Sequence, residues 1–249
     1  MAAIEVPDPK ADARIAAALR EDGYAVLALP PDVDPSSSRA LAILEDRLAA
    51  VGRPIQVFGE HPAWRPIGVR LDREATRSEG AGESPIHMDF VNAEDPPDIV
   101  MLYCERPDSL GGGHNLLAPV RTAERLPEDM RERLGRRVYA DGHVKDLHNV
   151  GRDINPFAVI ADHGRWRFRY TGRLLSNEAI SAEERAALRA LDRALRHAAT
   201  RLCLTAGQAL VLDQHRIAHS RLPLGKEQHR VPPNRRRLLW QRFARAKDV

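Results

Sequence analysis

Short apolar runs with the spacing of β-strands dominate this chain. They lie at residues 24–29, 67–71, 208–213 and 236–243, and are either continuous or alternate with polar residues. Runs of this length and pattern predict strands. Residues 157–162 and 165–170 show the same pattern on either side of His163 and Gly164, which predicts a hairpin. We therefore expect a core made mainly of β-sheet.

Apolar residues three and four positions apart predict helices between these strands. The helices are expected around residues 15–19 and 38–48, at 126–134 and at 181–202. Gly23 and Gly52 end the first two. The last is the clearest, because Ser181 and Glu184 form a capping box and leucines follow at helical spacing as far as Leu202.

Two long polar segments have no regular pattern. Residues 73–84 are rich in Gly, Ser and charged residues, which predicts a mobile surface loop that could act as a lid. Residues 140–157 form a second polar loop, and loops of this length within a domain are usually functional or disordered. Its His143 and His148 have no acidic residue two positions away, so we expect exposed or lid residues there rather than metal ligands.

Composition narrows the class of protein. With 249 residues, 43% of them hydrophobic, the chain can bury a full core, and we expect one domain over residues 1–249. No apolar run reaches the length of a membrane span, and acidic residues stand where a secretory signal would be basic, so we expect a cytoplasmic protein without a membrane segment. Cys104 and Cys203 suggest buried hydrophobic residues rather than a disulfide framework.

The overall charge gives little support to nucleic-acid binding. The net charge is +3, but 38 basic and 35 acidic residues are interspersed along most of the chain. Aromatic residues make up only 5%, too few for a stacking platform. We therefore expect a small-molecule ligand and no nucleic-acid partner.

His87 and Asp89 are the first candidates for chemistry. Side chains two apart on a strand point to the same side, so this pair can converge on one metal ion. An imidazole and a carboxylate suit a divalent ion, and a second His would complete the facial triad of non-haem Fe(II) sites.

Four stretches in order carry a resemblance to a known family. They are His87-Met88-Asp89, the glycine run ending in His114 (114 − 89 = 25 residues later), LVLDQHRIAHSR at 210–221 and RRLLWQR at 236–242. Together they resemble the Fe(II)/2-oxoglutarate-dependent oxygenases, and more narrowly the taurine dioxygenase and clavaminate synthase-like branch. The predicted helices fall in the same order, so the resemblance covers nearly the whole chain. It implies an α/β fold with a mainly β core: a double-stranded β-helix (jelly roll, cupin-like) with flanking helices.

The resemblance also implies the ligands of a metal site. His87, Asp89 and His219 would hold Fe(II) on one face and leave positions for 2-oxoglutarate and O₂. His215 stands where the family usually has Arg, and we expect it to be a neighbour of the site or a surface residue rather than a ligand.

The 2-oxoglutarate contacts follow from the same resemblance. Arg237 would bind the far carboxylate, since a planar guanidinium offers two parallel hydrogen bonds. Arg236 is the alternative, because a one-residue shift in register turns every side chain of a strand to the other face. His114 stands where the family has a Thr that helps to bind 2-oxoglutarate, and an imidazole N–H could donate to the same carboxylate.

Three other positions bear on the reaction. Gln241 stands where many members carry a second Arg that contacts an anionic substrate, so a sulfonate-like substrate is not supported. Asp213-Gln214 replaces the usual Asp-Asn. The carboxylate of Asp89 is intact, whereas the family's halogenases have Gly or Ala there, so a hydroxylase or desaturase is implied.

The substrate is the least constrained part of the prediction. Glu83 could bind an amine, and Arg70, Arg169 and Arg173 could bind a carboxylate, which would suit an amino acid or a similar small polar metabolite. The alternative for each is an ordinary solvated charge.

The implied reaction is hydroxylation or desaturation of an unactivated C–H bond, with release of succinate and CO₂. The competing hypotheses are a degenerate member that binds metal or ligand without turnover and a basic nucleic-acid-binding protein. Oligomeric state is left open.

Overall fold

The described part of the chain contains short strands and four α-helices. The computed structural model describes residues 2–58, 63–141, 149–154, 156–162 and 166–247. The α-helices are α1 (Ala11–Glu21), α2 (Ser38–Val51), α3 (Glu128–Leu134) and α4 (Ala182–Ala198). Short 3₁₀ helices occupy Val120–Arg125, Gly172–Ser176, Gln228–Arg230 and Pro233–Arg235. The strands are β1 (Ile4–Glu5), β2 (Tyr24–Ala28), β3 (Gly52–Ile55), β4 (Arg65–Gly68), β5 (Ser84–His87), β6 (Ile99–Arg106), β7 (Asn115–Pro119), β8 (Ile160–Asp162), β9 (Trp166–Phe168), β10 (Thr200–Leu202), β11 (Gln208–Asp213), β12 (Ile217–Arg221) and β13 (Leu238–Ala246).

The strands form a large sheet, a small sheet and a separate hairpin. The large sheet has the order β1-β2-β11-β6-β13-β3, and β4 also pairs with β13. The small sheet has the order β10-β7-β12-β5, and β8 pairs with β9. All pairs are antiparallel except β1 with β2.

Side-chain alternation along the strands divides the core into layers. Leu117 and Ile217 of the small sheet pack with Leu210 and Leu239 of the large sheet, so the two sheets face each other. The alternate residues of the large sheet pack under α1 and α2, and those of the small sheet pack under α3 and α4. Two facing antiparallel sheets with helices outside them confirm the predicted double-stranded β-helix with flanking helices.

The helix predictions hold except at the end of α4. Ser37 caps α2 and Ser181 caps α4, each with its hydroxyl accepting a backbone N–H of the first turn. The predicted extension of α4 to Leu202 is wrong. Ala199 is already extended, with ψ at 137°, and residues 200–202 pair with β7 as strand β10. The leucine spacing continues through this segment, but pairing with a sheet edge overrides it.

Several strand boundaries also differ from the prediction. The strand expected at 67–71 is β4, which is shifted towards the N-terminus, and the last strand begins one residue after Arg237. The predicted hairpin is present as β8 and β9, although its turn, at His163 and Gly164, lies outside the described residues. His143 and His148 lie outside them as well.

Two other expectations concern the cysteines and the membrane. Cys104 is buried as predicted, but Cys203 is exposed, so the expectation of a buried thiol is wrong for it. Among the described residues, none of the helices combines the length and hydrophobicity needed to span a bilayer.

Candidate active site

The two candidate histidine ligands face each other across the small sheet. His87 is the last residue of β5 and His219 lies in the middle of β12, and the register of the two strands pairs these residues directly. Paired residues of antiparallel strands point to the same face. Their imidazole centroids are 4.5 Å apart. Strand pairing therefore joins two residues that are distant in sequence.

Asp89 lies just beyond the strand and completes the group. Met88, between it and His87, is buried on the opposite side, in the core under α4, so the alternation expected for a strand continues to Asp89. The Asp89 carboxylate lies 3.8 Å from His87 Nε2 and 3.7 Å from His219 Nε2. The candidate ligand atoms of the three residues all lie within 4.8 Å of one another.

This donor set fits a borderline divalent ion such as Fe(II). The Nδ1 atom of His87 lies 2.8 Å from the carbonyl oxygen of Pro85. If Nδ1 carries the proton, Nε2 is left as a free lone pair facing Asp89. Burial and the neighbouring His87 lower the pKa of His219 to about 4, so its imidazole is neutral at pH 7, as ligation requires. His87, Asp89 and His219 would therefore hold the ion.

Two glutamines position Asp89. The side-chain amide of Gln241, on β13, donates to Asp89 Oδ2 at 3.1 Å. The Asp89 backbone N–H donates to the Gln214 side-chain oxygen at 2.8 Å, and Gln214 in turn donates to the Pro97 carbonyl at 2.9 Å. Gln241 therefore contacts a candidate metal ligand. The sequence did not indicate this role, because many family members have a substrate-binding Arg at this position.

His215 is not part of the group formed by the three candidate ligands. It is buried, and its Nε2 is 3.3 Å from the carboxylate of Asp98. This contact agrees with the expectation that His215 is a neighbour and not a ligand.

A cavity of about 170 Å³ opens between the sheets at the three candidate ligands. Arg237 lines it, and its guanidinium has no hydrogen bond or ion pair to the described part of the chain although the residue is only 5% exposed. Burial lowers the pKa of Arg237 to about 10, so the group remains charged at neutral pH. Arg236 faces the other way and donates to the Val231 carbonyl at 2.9 Å. The two arginines thus point to opposite sides, and only Arg237 reaches the cavity.

The glycine run at residues 111–113 passes close to the side chain of Arg237. Gly113 has a φ of +70°, and a Cβ atom there would lie 3.1 Å from the Nε atom of Arg237. Only glycine fits such a close approach in this backbone conformation without strain. The run therefore makes room for the guanidinium.

His114 does not line the cavity at the candidate ligands. Its Nδ1 contacts the guanidinium of Arg201, beside a smaller cavity of about 50 Å³ on the far side of Arg237. Burial and the Arg201 charge lower the pKa of His114. The next residue, Asn115, is the first of β7 and lines both cavities. If the two family glycines are matched to Gly112 and Gly113 instead of Gly111 and Gly112, Asn115 takes the position of the family's Thr. The one-residue shift matters because successive strand residues point to opposite sides.

Of the four candidate substrate residues, only Arg173 lines this cavity. Glu83 pairs with Arg196 at 2.5 Å, and Arg70 is exposed and pairs with Asp72 at 2.9 Å. Arg169 is buried and donates to the carbonyls of Val91, Ala93 and Glu94, which fixes the segment after Asp89. These three have structural partners outside the cavity, so the structure does not bring them to the candidate ligands.

Arg173 is held at the cavity wall by an ion pair. It donates to the carboxylate of Asp141 at 2.7 Å. Asp141 also lines the cavity, as do Asp153 and Arg65. These three could not be predicted from the sequence, because each lies in or beside an irregular segment with no motif around it.

Hydrogen bonds from Arg221 anchor the loop before β5, at residues 73–83, beside the candidate site. Arg221, at the end of β12, donates to the carbonyls of Ser78 at 3.1 Å and Gly80 at 2.7 Å, and also contacts that of Gly82. The predicted irregular loop is therefore present. A buried guanidinium anchors its second half, while residues 73–76 are exposed.

Comparisons with known proteins agree with this architecture. A sequence model of the family described as taurine catabolism dioxygenase TauD, TfdA family matches residues 3–241. A crystal structure of asparagine oxygenase in complex with Fe(II), 2S,3S-3-hydroxyasparagine and succinate is similar, with a TM-score of 0.77 and 22% identity over 94% of this chain and 78% of that one. The non-haem iron oxygenase OrfP in complex with Fe and α-ketoglutaric acid has a TM-score of 0.69 and 16% identity over 98% and 87% of the respective chains. No curated protein matches the sequence. The match across nearly the whole chain confirms the predicted family: this protein belongs to the taurine catabolism dioxygenase TauD, TfdA family.

Proposed function

We propose that this protein is an Fe(II)- and 2-oxoglutarate-dependent dioxygenase that hydroxylates a C–H bond of an amino acid or amino acid derivative. The observation that carries the proposal is the convergence of His87, Asp89 and His219 within 4.8 Å at a cavity that Arg237 also lines. The guanidinium of Arg237 has no partner among the described residues. Fe(II) bound with 2-oxoglutarate and O₂ would supply the oxidant, with release of succinate and CO₂.

The residues around the triad have distinct roles in this proposal. Arg237 binds the far carboxylate of 2-oxoglutarate, and the amide of Asn115 beside it donates a further hydrogen bond. Gln241 holds one oxygen of Asp89 and leaves the other for the metal. The apolar side chains of Leu102 and Leu239 line the same cavity and exclude water from it.

The choice of an amino acid rests on charges at the cavity and on the related structures. Guanidinium and carboxylate groups both line the cavity, which suits a substrate that carries both signs of charge. The related structures contain 3-hydroxyasparagine in one case and (3S)-hydroxy-L-Arg in another. The departures at His114 and Gln241 leave the three candidate ligands intact, so they do not favour a protein without turnover.

Succinate formation tests the proposal. We expect the purified protein to convert 2-oxoglutarate to succinate with Fe(II) and ascorbate, and amino acids to stimulate the rate. Asp89→Ala should abolish turnover because it removes one of three ligands. Asp72→Ala, on an exposed residue outside the cavity, is the matched control. A wild-type protein that binds neither Fe(II) nor 2-oxoglutarate would contradict the proposal.

Three wider expectations belong to the same proposal. We propose one catalytic domain, which is supported by the participation of both ends of the chain, β1 and β13, in the large sheet. We also propose a cytoplasmic location and a small-molecule substrate in place of nucleic acid.

A further inference from the structure

The guanidinium groups that line the cavity differ in their partners. They belong to Arg65, Arg77, Arg173, Arg221 and Arg237. Arg77 and Arg173 pair with carboxylates, and Arg221 donates to loop carbonyls. Arg237 is the proposed ligand of the co-substrate carboxylate. Arg65 is left with neither a hydrogen bond nor an ion pair to any described residue.

Sheet register places Arg65 near the metal ligands. Arg65, on β4, is the direct partner of Gln241 on β13. Paired residues share a face, with Cβ atoms about 5 Å apart, and Gln241 contacts Asp89. One side chain therefore separates Arg65 from a candidate ligand.

Phe58 holds the Arg65 guanidinium in position. The Cζ atom of Arg65 lies 4.9 Å from the centroid of the Phe58 ring, which also lines the cavity. Stacking on an aromatic face orients a guanidinium without using its N–H donors. No described residue accepts a hydrogen bond from these donors, so they are available to a ligand.

A carboxylate that pairs with none of the described residues complements this cation. Asp153 lines the same cavity, and its side chain forms no ion pair or hydrogen bond with the described residues. Its backbone is fixed, because it bridges to Ala93 and the following Ile154 donates to the Asn92 carbonyl at 2.6 Å. The segment it bridges is held in turn by the buried Arg169.

We propose that Arg65 and Asp153 are the residues that select the substrate, Arg65 by binding its carboxylate and Asp153 by binding its ammonium group. A charged group left without a partner in a protein cavity is costly unless a ligand or water pairs with it. 2-Oxoglutarate supplies carboxylates but no cation, so it does not account for Asp153. A zwitterionic substrate accounts for both groups. This inference rests on the proposed function and adds the recognition site to it.

Binding to the anaerobic complex tests the inference without turnover. Protein loaded with Fe(II) and 2-oxoglutarate is titrated calorimetrically with the standard L-amino acids, and the best ligand is compared with its amide and its deamino analogue. We expect Arg65→Met to weaken binding of the amino acid about 10- to 100-fold, as for loss of a charge-assisted hydrogen bond. The variant should also no longer distinguish acid from amide. Asp153→Asn should no longer distinguish the amino acid from its deamino analogue.

Arg70→Met is the matched control, because Arg70 is an exposed arginine outside the cavity. If Arg65→Met destabilises the protein, Arg65→Lys keeps the charge and should restore part of the preference for the acid. Equal effects of Arg65→Met and Arg70→Met, an unchanged acid-to-amide ratio, or a wild-type complex that binds no amino acid would overturn the inference. Failure to bind Fe(II) or 2-oxoglutarate at all would instead contradict the proposed function.

Discussion

At the scale of single residues, Arg237 combines burial with a charge that the described residues leave unpaired. We expect Arg237→Lys to raise the KM for 2-oxoglutarate about 10- to 100-fold, because an ammonium keeps the charge but loses the planar pair of donors. The measurement is succinate release at varied 2-oxoglutarate.

Arg236→Lys is the control for this change. It alters the adjacent arginine, which faces away from the cavity and donates to Val231. A larger effect at Arg236 than at Arg237 would show that the co-substrate arginine had been assigned to the wrong face of the strand.

Gln241 gives a second prediction at this scale. Gln241→Leu removes the donor to Asp89 Oδ2 and leaves that oxygen without its protein partner. We expect the affinity for Fe(II) to fall about 10-fold or more, since groups that orient metal ligands have effects of that size. Anaerobic calorimetry with Fe(II) measures it. Gln208→Leu, at the start of β11 and outside the cavity, should leave metal affinity unchanged, and an unaltered Kd for Gln241→Leu would contradict the role.

At the scale of elements, β12 connects the candidate metal site to the loop before β5. It carries His219 in its centre and Arg221 at its end, and Arg221 donates to several carbonyls of that loop. Burial, followed by the charge of Arg237, lowers the pKa of Arg221 to about 10, so the group that holds the loop is still a cation at neutral pH.

We expect Arg221→Met to release the loop at residues 73–83. The hydrogen bonds of a buried charged group contribute about 1–3 kcal/mol, so the free energy of unfolding should fall by that order and proteases should cut within the loop. Urea unfolding and limited proteolysis measure these effects. Arg230→Met alters an exposed arginine paired with Glu227 and should do neither. Resistance of the Arg221 variant to cleavage would show that other contacts hold the loop.

At the scale of the whole molecule, burial of the site between two sheets makes stability depend on pH. The folded-state pKa of His219, about 4, lies below its usual value of 6.5, mainly because of burial. Between these values the unfolded chain binds the proton and the folded chain does not, so stability is fully present above pH 6.5 and is lost as pH falls towards 4. The loss should reach a few kcal/mol, at about 1.4 kcal/mol per pKa unit.

Urea unfolding of the metal-free protein from pH 7 to 4 measures this loss. Burial raises the pKa of Asp213, which has the opposite effect because the folded chain then holds its proton more tightly. His219→Gln separates the two contributions, and its stability should fall less steeply than that of the wild type. Parallel curves for the two proteins would contradict the assignment to His219.

The family, the mainly β core, most of the helices and the positions of the candidate metal ligands could be predicted from the sequence. Each of these depends on local information: strand and helix periodicity, capping residues, and short motifs in a fixed order. The same alternation explains why Met88 is buried on the side opposite to His87 and Asp89.

Which charged residues share the cavity could not be predicted from the sequence and depends on how the strands pair. Strand register pairs His87 with His219 and Gln241 with Arg65, residues more than a hundred positions apart, and spacing in sequence does not encode such pairing. In the folded protein Asn115 lines the cavity and His114 does not, since neighbouring residues of a strand point to opposite sides. Glu83, Arg70 and Arg169 pair with groups outside the cavity. A charged side chain pairs with the group that the fold places beside it, and the sequence alone does not identify that group.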